Sequence, residues 1–271
     1  MNDPGVATTH INRLSNESLE GSIAEQLFAK IVTDAQDFEV AFALRYRAYF
    51  NAGYLKNIDH HSFSDIYDDR PSSKTILIYR GEQAVGSIRV CVLDRAKPDA
   101  IDLPASRMFH EEIDNLLTVP PHSTAPRRAV EITRLARDPE RLDDRRVLWA
   151  MFRMVGYLII ANNADIVFVA VTKNHMPLYR RMGYQIVAAP KAYPGLDVET
   201  GLMACFRDDF TSVQRQVAIL GSVSRSSLIY ADFIGGNKVP VFEDAVTDVS
   251  SRLISNRTDA RGTETGVRKI A

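Results

Sequence analysis

Only two cysteines occur in the 271 residues, Cys91 and Cys205, and both lie inside apolar runs (SIRVCVL and LMACF). They read as buried strand residues rather than a disulfide framework, and no metal-ligand spacing surrounds them. His60-His61 has no third ligand at a suitable spacing, so no metal is expected. No run of about 18 apolar residues is present, which excludes a transmembrane helix. The stretch up to Ser22 contains Asp3 and Glu17 and lacks the apolar core of a signal peptide, so a cytoplasmic location is expected. A net charge of -1 gives the chain no global attraction for polyanions. Aromatic residues interleaved with basic ones are also missing, so no nucleic-acid partner is expected.

With 45% hydrophobic and 25% charged residues, the composition is that of a globular protein able to bury a sizeable core. Residues 1–24 read as a polar leader and 251–271 as a polar tail, both too poor in apolar residues to pack. Between them strand and helix signals alternate. LFAKIVT (27–33) is strand-like, and Asp34 is placed to cap a helix whose apolar positions are Phe38, Phe42, Leu44 and Tyr49. Residues 75–79 and 84–93 flank a short glycine-containing turn and read as a hairpin. A short helix is expected over 105–117 and a strand over 129–136. Asp143 or Asp144 then caps a long helix with the stripe Val147, Leu148, Met151, Phe152, Val155 and Leu158. DIVFVAV (165–171) is apolar throughout, as a central strand must be. A short helix from Asn174 stops at Gly183, and strands follow at 184–188 and 201–206. The fold class is therefore α/β (α+β), a mixed central sheet with helices on both faces over 25–210. A partly helical C-terminal extension covers 211–250.

Two residues stand out chemically. Glu131 lies in the strand AVEITRLA, where a carboxylate is disfavoured unless it faces a polar site. Burial there raises its pKa toward the range useful to a base. The duller alternative is an ion pair with Arg89 or Arg134. Tyr179, four residues before Gly183 on the short helix, would point toward the carboxyl end of the preceding strand, where ligands bind in open α/β sheets. Otherwise it is a core tyrosine.

The segment Met176-Pro-Leu-Tyr-Arg-Arg-Met-Gly-Tyr184 resembles the Tyr-x-x-x-Gly-Phe/Tyr signature of the Gcn5-type N-acyltransferases (GNAT). In that family the tyrosine often protonates a leaving thiolate. Four further segments resemble the acyl-homoserine-lactone synthases and the related long-chain N-acyl amino acid synthases. They are Leu44-Arg-Tyr-Arg-Ala-Tyr49 with Gly53-Tyr54, Asp65-Ile-Tyr-Asp68, Gly86-Ser-Ile-Arg89 and Val130-Glu-Ile-Thr-Arg-Leu-Ala136. The resemblance implies a GNAT fold, Glu131 and Tyr179 as catalytic residues, and Arg45, Asp65, Asp68, Arg89 and Arg134 as substrate-binding residues. These charges can equally interlock as ion pairs that hold the first helix to the sheet. Tyr54 stands where lactone synthases usually carry tryptophan. The sequence 175–184 followed by Ala192-Tyr-Pro-Gly195 looks more like the amino acid synthases, which favours an amino acid acceptor over S-adenosylmethionine.

The acyl carrier follows from a further absence. Ordinary GNAT enzymes hold coenzyme A pyrophosphate in a glycine-rich turn at a helix start, but here the stretch is Arg137-Asp-Pro-Glu-Arg-Leu-Asp-Asp-Arg-Arg146, without glycine. Asp143 and Asp144 would repel a pyrophosphate. The same stretch offers Arg137, Arg141, Arg145 and Arg146, with Arg127, Arg128 and Arg153 nearby and Lys173, Arg180 and Arg181 on the same edge. Such a surface suits an acidic acyl carrier protein. The expectation is an enzyme without a permanently bound cofactor. Its donor would be the phosphopantetheine thioester of acyl carrier protein, or acyl-CoA, with Glu131 and Tyr179 facing each other across one gap. The rivals are a homoserine-lactone synthase, a coenzyme A-dependent acetyltransferase and a non-catalytic GNAT-like module.

Overall fold

In a computed structural model, residues 26–56, 60–97, 102–118, 128–216, 220 and 223–242 are described. The leader 1–24, the tail 251–271 and Arg127 lie outside them. The elements in chain order are β1 (Leu27–Ile31), α1 (Ala35–Asn51), β2 (Ser73–Arg80), β3 (Gln83–Asp94), α2 (Ser106–Thr118) and β4 (Arg128–Arg137). A 3-10 turn (Pro139–Arg141) leads into α3 (Arg145–Ala161), β5 (Ile166–Val171), α4 (Met176–Arg181), β6 (Gln185–Ile186), β7 (Lys191–Ala192) and β8 (Glu199–Phe206). The described chain closes with α5 (Arg207–Gln216), α6 (Tyr230–Ile234) and β9 (Val239–Pro240). Both expected caps form: Asp34 accepts from the Asp37 N–H at 2.9 Å, and Asp144 accepts from the Arg146 N–H at 3.0 Å. The strand expected over 184–188 pairs only at Gln185 and Ile186, before the chain reaches Pro190. β7 and β9 are two residues each, too short to leave a periodic signal.

The strands form one sheet in the order β6-β8-β5-β4-β3-β2-β1-β9, with β7 paired to β8. Only β4 and β5 run parallel among these pairs. They pair from Ala129–Ile166 to Ile132–Val169, and then separate while β4 continues to Arg137. Alternation sorts the side chains. Ile76, Ile78, Ile88, Val90, Val130 and Ile132 face α3, with α4, α5 and α6 completing that layer. Cys91, Ala129, Phe168 and Ala204 face α2. Leu77 and Tyr79 face α1 on that same side. Helices therefore cover both faces, as the sequence implied. Gly86 lets α3 pack close, since a Cβ there would lie 3.1 Å from both Met151 Sδ and Val147 Cγ1 and those side chains would have to give by a few tenths of an ångström.

The segment after α5 returns to the main body. β9 adds to the outer edge of β1 through Phe28–Pro240 and Ala29–Val239. Phe233 of α6 is fully buried against Tyr157 of α3, with ring centroids 6.1 Å apart. Arg153 donates to the Val241 carbonyl at 2.8 Å. We expect Phe233→Ala to cost about 3–5 kcal/mol of unfolding free energy in a single cooperative transition. Chemical denaturation followed by both fluorescence and circular dichroism checks this; a separate early transition would show the segment to be an independent appendage.

Candidate active site

The site is assembled from rows of residues that the sheet register sets side by side. One row runs Ser73, Cys91, Glu131, Phe168, Ala204 across five strands, and the next runs Thr75, Arg89, Thr133. All lie on the face covered by α1 and α2. Glu131 and Arg134 are three residues apart, and in a regular strand they would point to opposite faces. They share a face because β4 is bulged. Its register with β3 slips by one residue between Ser87 and Arg89, and Arg134 adopts φ 54°, in the left-handed region that non-glycine residues seldom enter. Such strain persists where surrounding contacts impose it, and it concentrates at functional sites. The bulge also turns backbone groups of residues 134–135 out of the ladder.

Those contacts are ion pairs. Asp65, in the segment between α1 and β2, accepts from Arg89 at 2.6 and 3.0 Å and from Arg134 at 2.9 and 2.6 Å. Burial would raise the Asp65 carboxyl, but the two guanidiniums overcome it and hold the group well below its ordinary value. Asp68 pairs with Arg45 of α1 at 2.7 Å and lies 2.9 Å from Arg89. Its other oxygen accepts from the Asp65 backbone N–H at 2.9 Å, and Arg45 also donates to Thr75 Oγ1 at 2.8 Å. The structure thus brings together all five expected substrate-binding residues. Arg45 and Arg89 both turn to Asp68, while the Nε of each is buried without a hydrogen-bond partner. The Arg134 side chain retains 9% exposure and that of Asp65 17%, so these two form the more open end of the cluster.

Glu131 is 1% exposed, and its Oε2 accepts from the Ala105 backbone N–H at 2.8 Å. No ion pair ties it to Arg89 or Arg134 among the described contacts, because both are turned to Asp65. Burial pushes its carboxyl up to about 7, against the lowering effect of the Ala105 N–H and of the Arg89 and Arg134 charges. A carboxyl that titrates near neutrality can take a proton from an incoming group and still be ionised often enough to act.

Tyr179 is arranged otherwise. Its ring packs edge-on against Phe152 at 5.7 Å and Tyr184 at 5.3 Å, in the core on the α3 face. The expectation that Glu131 and Tyr179 face each other across one gap is therefore not met. They hang from opposite faces of the sheet, on either side of the place where β4 and β5 part. Tyr49, at the end of α1, is the electrostatic neighbour common to Tyr179, Arg134 and Tyr193. Burial, reinforced by Tyr49, raises the Tyr179 hydroxyl above its ordinary value and keeps it a proton donor.

Other residues of this site were given no role from the sequence alone. Phe63 lies under the Arg134 guanidinium at 4.5 Å and against Tyr49 at 5.3 Å, and the Tyr193 ring lies 5.7 Å from the same guanidinium. Aromatic residues around a half-committed arginine carry no periodic signature; only the spatial position of the 60–72 segment and the β7–β8 hairpin reveals them. His61 stacks on Tyr46 at 5.1 Å, and no group of metal-binding side chains converges among the described residues.

The basic residues divide into two sets. Arg137 donates to the Leu142 carbonyl at 2.9 Å and Arg141 to Gln83 at 3.2 Å, so both brace the 3-10 turn. Arg145, Arg146, Lys173 and Arg180 are exposed. Asp144 is paired with Arg80, so its charge is neutralised, in contrast to the free repulsion expected of it. A narrow apolar slot with about 20 Å³ of open space lies on the α3 face among Ile132, Phe152, Val155, Met182, Phe210 and Leu220. Phe152 and Val155 line it, whereas Met108 and Phe109 pack by α2 on the other face. A larger cavity of about 240 Å³, lined by Arg95, Asp102 and His110, lies toward the amino end of β4, away from Arg134.

A family profile described as "N-acyl amino acid synthase FeeM" matches residues 40–205. The structure of FeeM, an N-acyl amino acid synthase from uncultured soil microbes, is 16% identical and aligns over 72% of this chain and 97% of its own, with a TM-score of 0.56. The acyl-homoserine-lactone synthase LasI is also 16% identical, over 79% of this chain and 97% of its own, with a TM-score of 0.49. No curated protein sequence is detectably similar. The likeness to FeeM bears out the acyltransferase fold implied by the sequence.

Because the folded state raises the Glu131 carboxyl, it binds that proton more tightly than the unfolded chain does. The associated stability is complete below the unfolded value of about 4.3 and is lost as pH rises through about 7. Glu131→Gln keeps an acceptor for Ala105 and removes the charge. We expect it to be more stable than the parent at pH 8, by on the order of 3 kcal/mol, and nearly equal at pH 4.5. Denaturant titrations at the two pH values test this, and equal stability at both would contradict the burial of an ionisable carboxylate.

Proposed function

Since the chain belongs to the N-acyl amino acid synthase FeeM family, and is thereby an N-acyltransferase, we propose that it transfers a medium or long acyl chain from the phosphopantetheine thioester of an acyl carrier protein to the α-amine of an amino acid. The observation that carries this reading is Glu131, a buried carboxyl raised to about 7 beside the opening between two parallel strands. An ammonium group is no nucleophile, so the acceptor must lose a proton first. Glu131 accepts it, directly or through a water. The neutral amine then attacks a thioester lying in the gap between β4 and β5. Backbone N–H groups released by the bulge at residues 134–135 stabilise the oxyanion. As the tetrahedral intermediate collapses, the thiolate leaves and takes the Tyr179 proton from the other face, and the proton that the nitrogen sheds as the amide forms passes through water to restore the phenol. The acyl chain follows into the apolar slot past Ile132 and Phe152, which must widen to admit it.

Carrier protein is favoured over coenzyme A by the helix that follows β4. The N-terminus of α3, which would otherwise attract a pyrophosphate, is already occupied by the Asp144 carboxylate. Arg145 and Arg146 follow β4 and Lys173 and Arg180 follow β5, all exposed, which supports reading them as one docking edge. The charge of Arg137 reaches His175, which lies between β5 and α4, in keeping with a shared edge. An acidic carrier protein docking there would direct its prosthetic arm into the gap. S-adenosylmethionine gains no specific support from the site.

The test is turnover of acyl-acyl carrier protein and of acyl-CoA against a panel of amino acids and S-adenosylmethionine, read by mass spectrometry. An N-acyl amino acid formed preferentially from the carrier protein is expected; a lactone, or turnover with acetyl-CoA alone, would overturn the proposal. The value of kcat/KM should rise as pH passes through about 7, because Glu131 must be ionised to act. Glu131→Gln should lower kcat roughly 100-fold or more, and Tyr179→Phe should slow the collapse step by roughly tenfold or more.

A further inference from the structure

The charged cluster behind Glu131 is unbalanced. Three guanidiniums, Arg45, Arg89 and Arg134, face two carboxylates, Asp65 and Asp68. When Glu131 holds a proton, one positive charge is left over. Within the cluster Arg134 gives both Nε and Nη2 to Asp65 Oδ2, leaving Nη1 as the edge that no described contact occupies. Next to that guanidinium stands Tyr193. Its hydroxyl is an electrostatic neighbour of Arg134, Glu131, Tyr49 and Asp65 alike, and burial, offset by Arg134, raises its pKa to about 12, so it remains a donor. No described hydrogen bond engages that hydroxyl.

Tyr193 is also held in place with some care. Its backbone N–H donates to the Val198 carbonyl at 2.8 Å, and its carbonyl accepts from Leu196 at 3.1 Å. The turn of its hairpin is tied to the chain beyond α1 by Asp197 N–H donating to the Tyr54 carbonyl at 2.9 Å. Gly195, at φ +81°, supplies the left-handed residue which that turn needs. A flexible surface tyrosine would not be anchored from both sides.

We propose that the Tyr193 hydroxyl and the free edge of the Arg134 guanidinium together bind the carboxylate of the acceptor, making Tyr193 the residue that selects an amino acid over a simple amine. This rests on the amino acid acceptor proposed above and names how that acceptor is recognised. The charge accounting closes. A zwitterionic acceptor brings one carboxylate and one ammonium; the ammonium passes its proton to Glu131; and the acceptor, now anionic, neutralises the surplus arginine charge. An amine without the carboxylate loses the same proton but leaves that arginine unbalanced. A charge-assisted bond from Nη1 joined by a phenol donor gives a carboxylate a partner for each oxygen.

The experiment compares the best amino acid acceptor with its decarboxylated amine, at saturating acyl-acyl carrier protein, in the parent and in Tyr193→Phe. The parent should prefer the amino acid by roughly 100-fold or more in kcat/KM. Tyr193→Phe should lower that preference by roughly tenfold, through a higher KM for the amino acid alone. The uncharged methyl ester of the amino acid should behave as the amine does. Equal losses for acid and amine, a loss confined to kcat, or no loss at all would each overturn the assignment. An unchanged melting temperature for the variant is the control for folding. If the parent acylates no amino acid, the proposed function fails and this inference falls with it. If the parent acylates amino acids and the variant discriminates as the parent does, only this inference fails.

Discussion

Asp65 is the point on which the site depends. A single carboxylate, supplied by a segment with no regular secondary structure, is shared by Arg89 of β3 and Arg134 of β4. Buried ion pairs add little net stability, since desolvation consumes most of the attraction, but they tolerate very few arrangements. Here that selectivity fixes three things together: the position of the 60–72 segment over the sheet, the conformation of Arg134 in the bulge, and the orientation of Arg89 away from Glu131. The last has the largest chemical consequence. Were either arginine paired with Glu131, its carboxyl would be held ionised and acidic, useless as a base at neutral pH. By claiming both guanidiniums, Asp65 leaves Glu131 with one backbone N–H and an apolar neighbourhood.

Much of this was legible in the sequence, for identifiable reasons. The strand and helix pattern over 27–206 came from long periodic segments with explicit caps, Asp34 and Asp144 among them. The five charged residues came from the resemblance of their segments to the synthases, and their mixed signs beside apolar strands argued for interlocking ion pairs. What could not be read was the pairing. Glu131 with Arg134 looked as natural as Asp65 with Arg134, because a one-residue slip in a strand reverses every side chain beyond it and no local sequence signal announces a bulge centred on a non-glycine residue. The face occupied by Tyr179 was hidden for a related cause. Its helix follows a strand that leaves its parallel partner, so a position near the strand's end does not say on which side of the sheet the ring comes to rest. The roles of Tyr193, singled out only as part of Ala192-Tyr-Pro-Gly195, and of Phe63 were invisible because they depend on loops converging from far apart in the chain.

The two sides of the β4–β5 opening are chemically different. One carries charge, a raised carboxyl and aromatic hydroxyls; the other is an apolar layer of α3, α4 and α5. Under the proposed reaction, a polar acceptor and a greasy acyl chain would be sorted to opposite faces before they meet. A tyrosine buried among phenylalanine and methionine would then donate its proton to a sulfur departing on the apolar side.

The pairing of β9 with β1 joins residues roughly 210 positions apart in the chain. A ribosome adding on the order of 5–20 residues per second needs roughly ten to forty seconds to cover that interval. Throughout it, the outer edge of the first strand has no partner to its far side and exposes the apolar residues Leu27 and Ala29 beside an open row of backbone groups. Newly made chains crowded on one message could join there edge to edge. The vulnerable period in the life of this enzyme is thus its synthesis, and its yield in a cell should respond to translation speed and chaperone supply more than to the strength of the finished core.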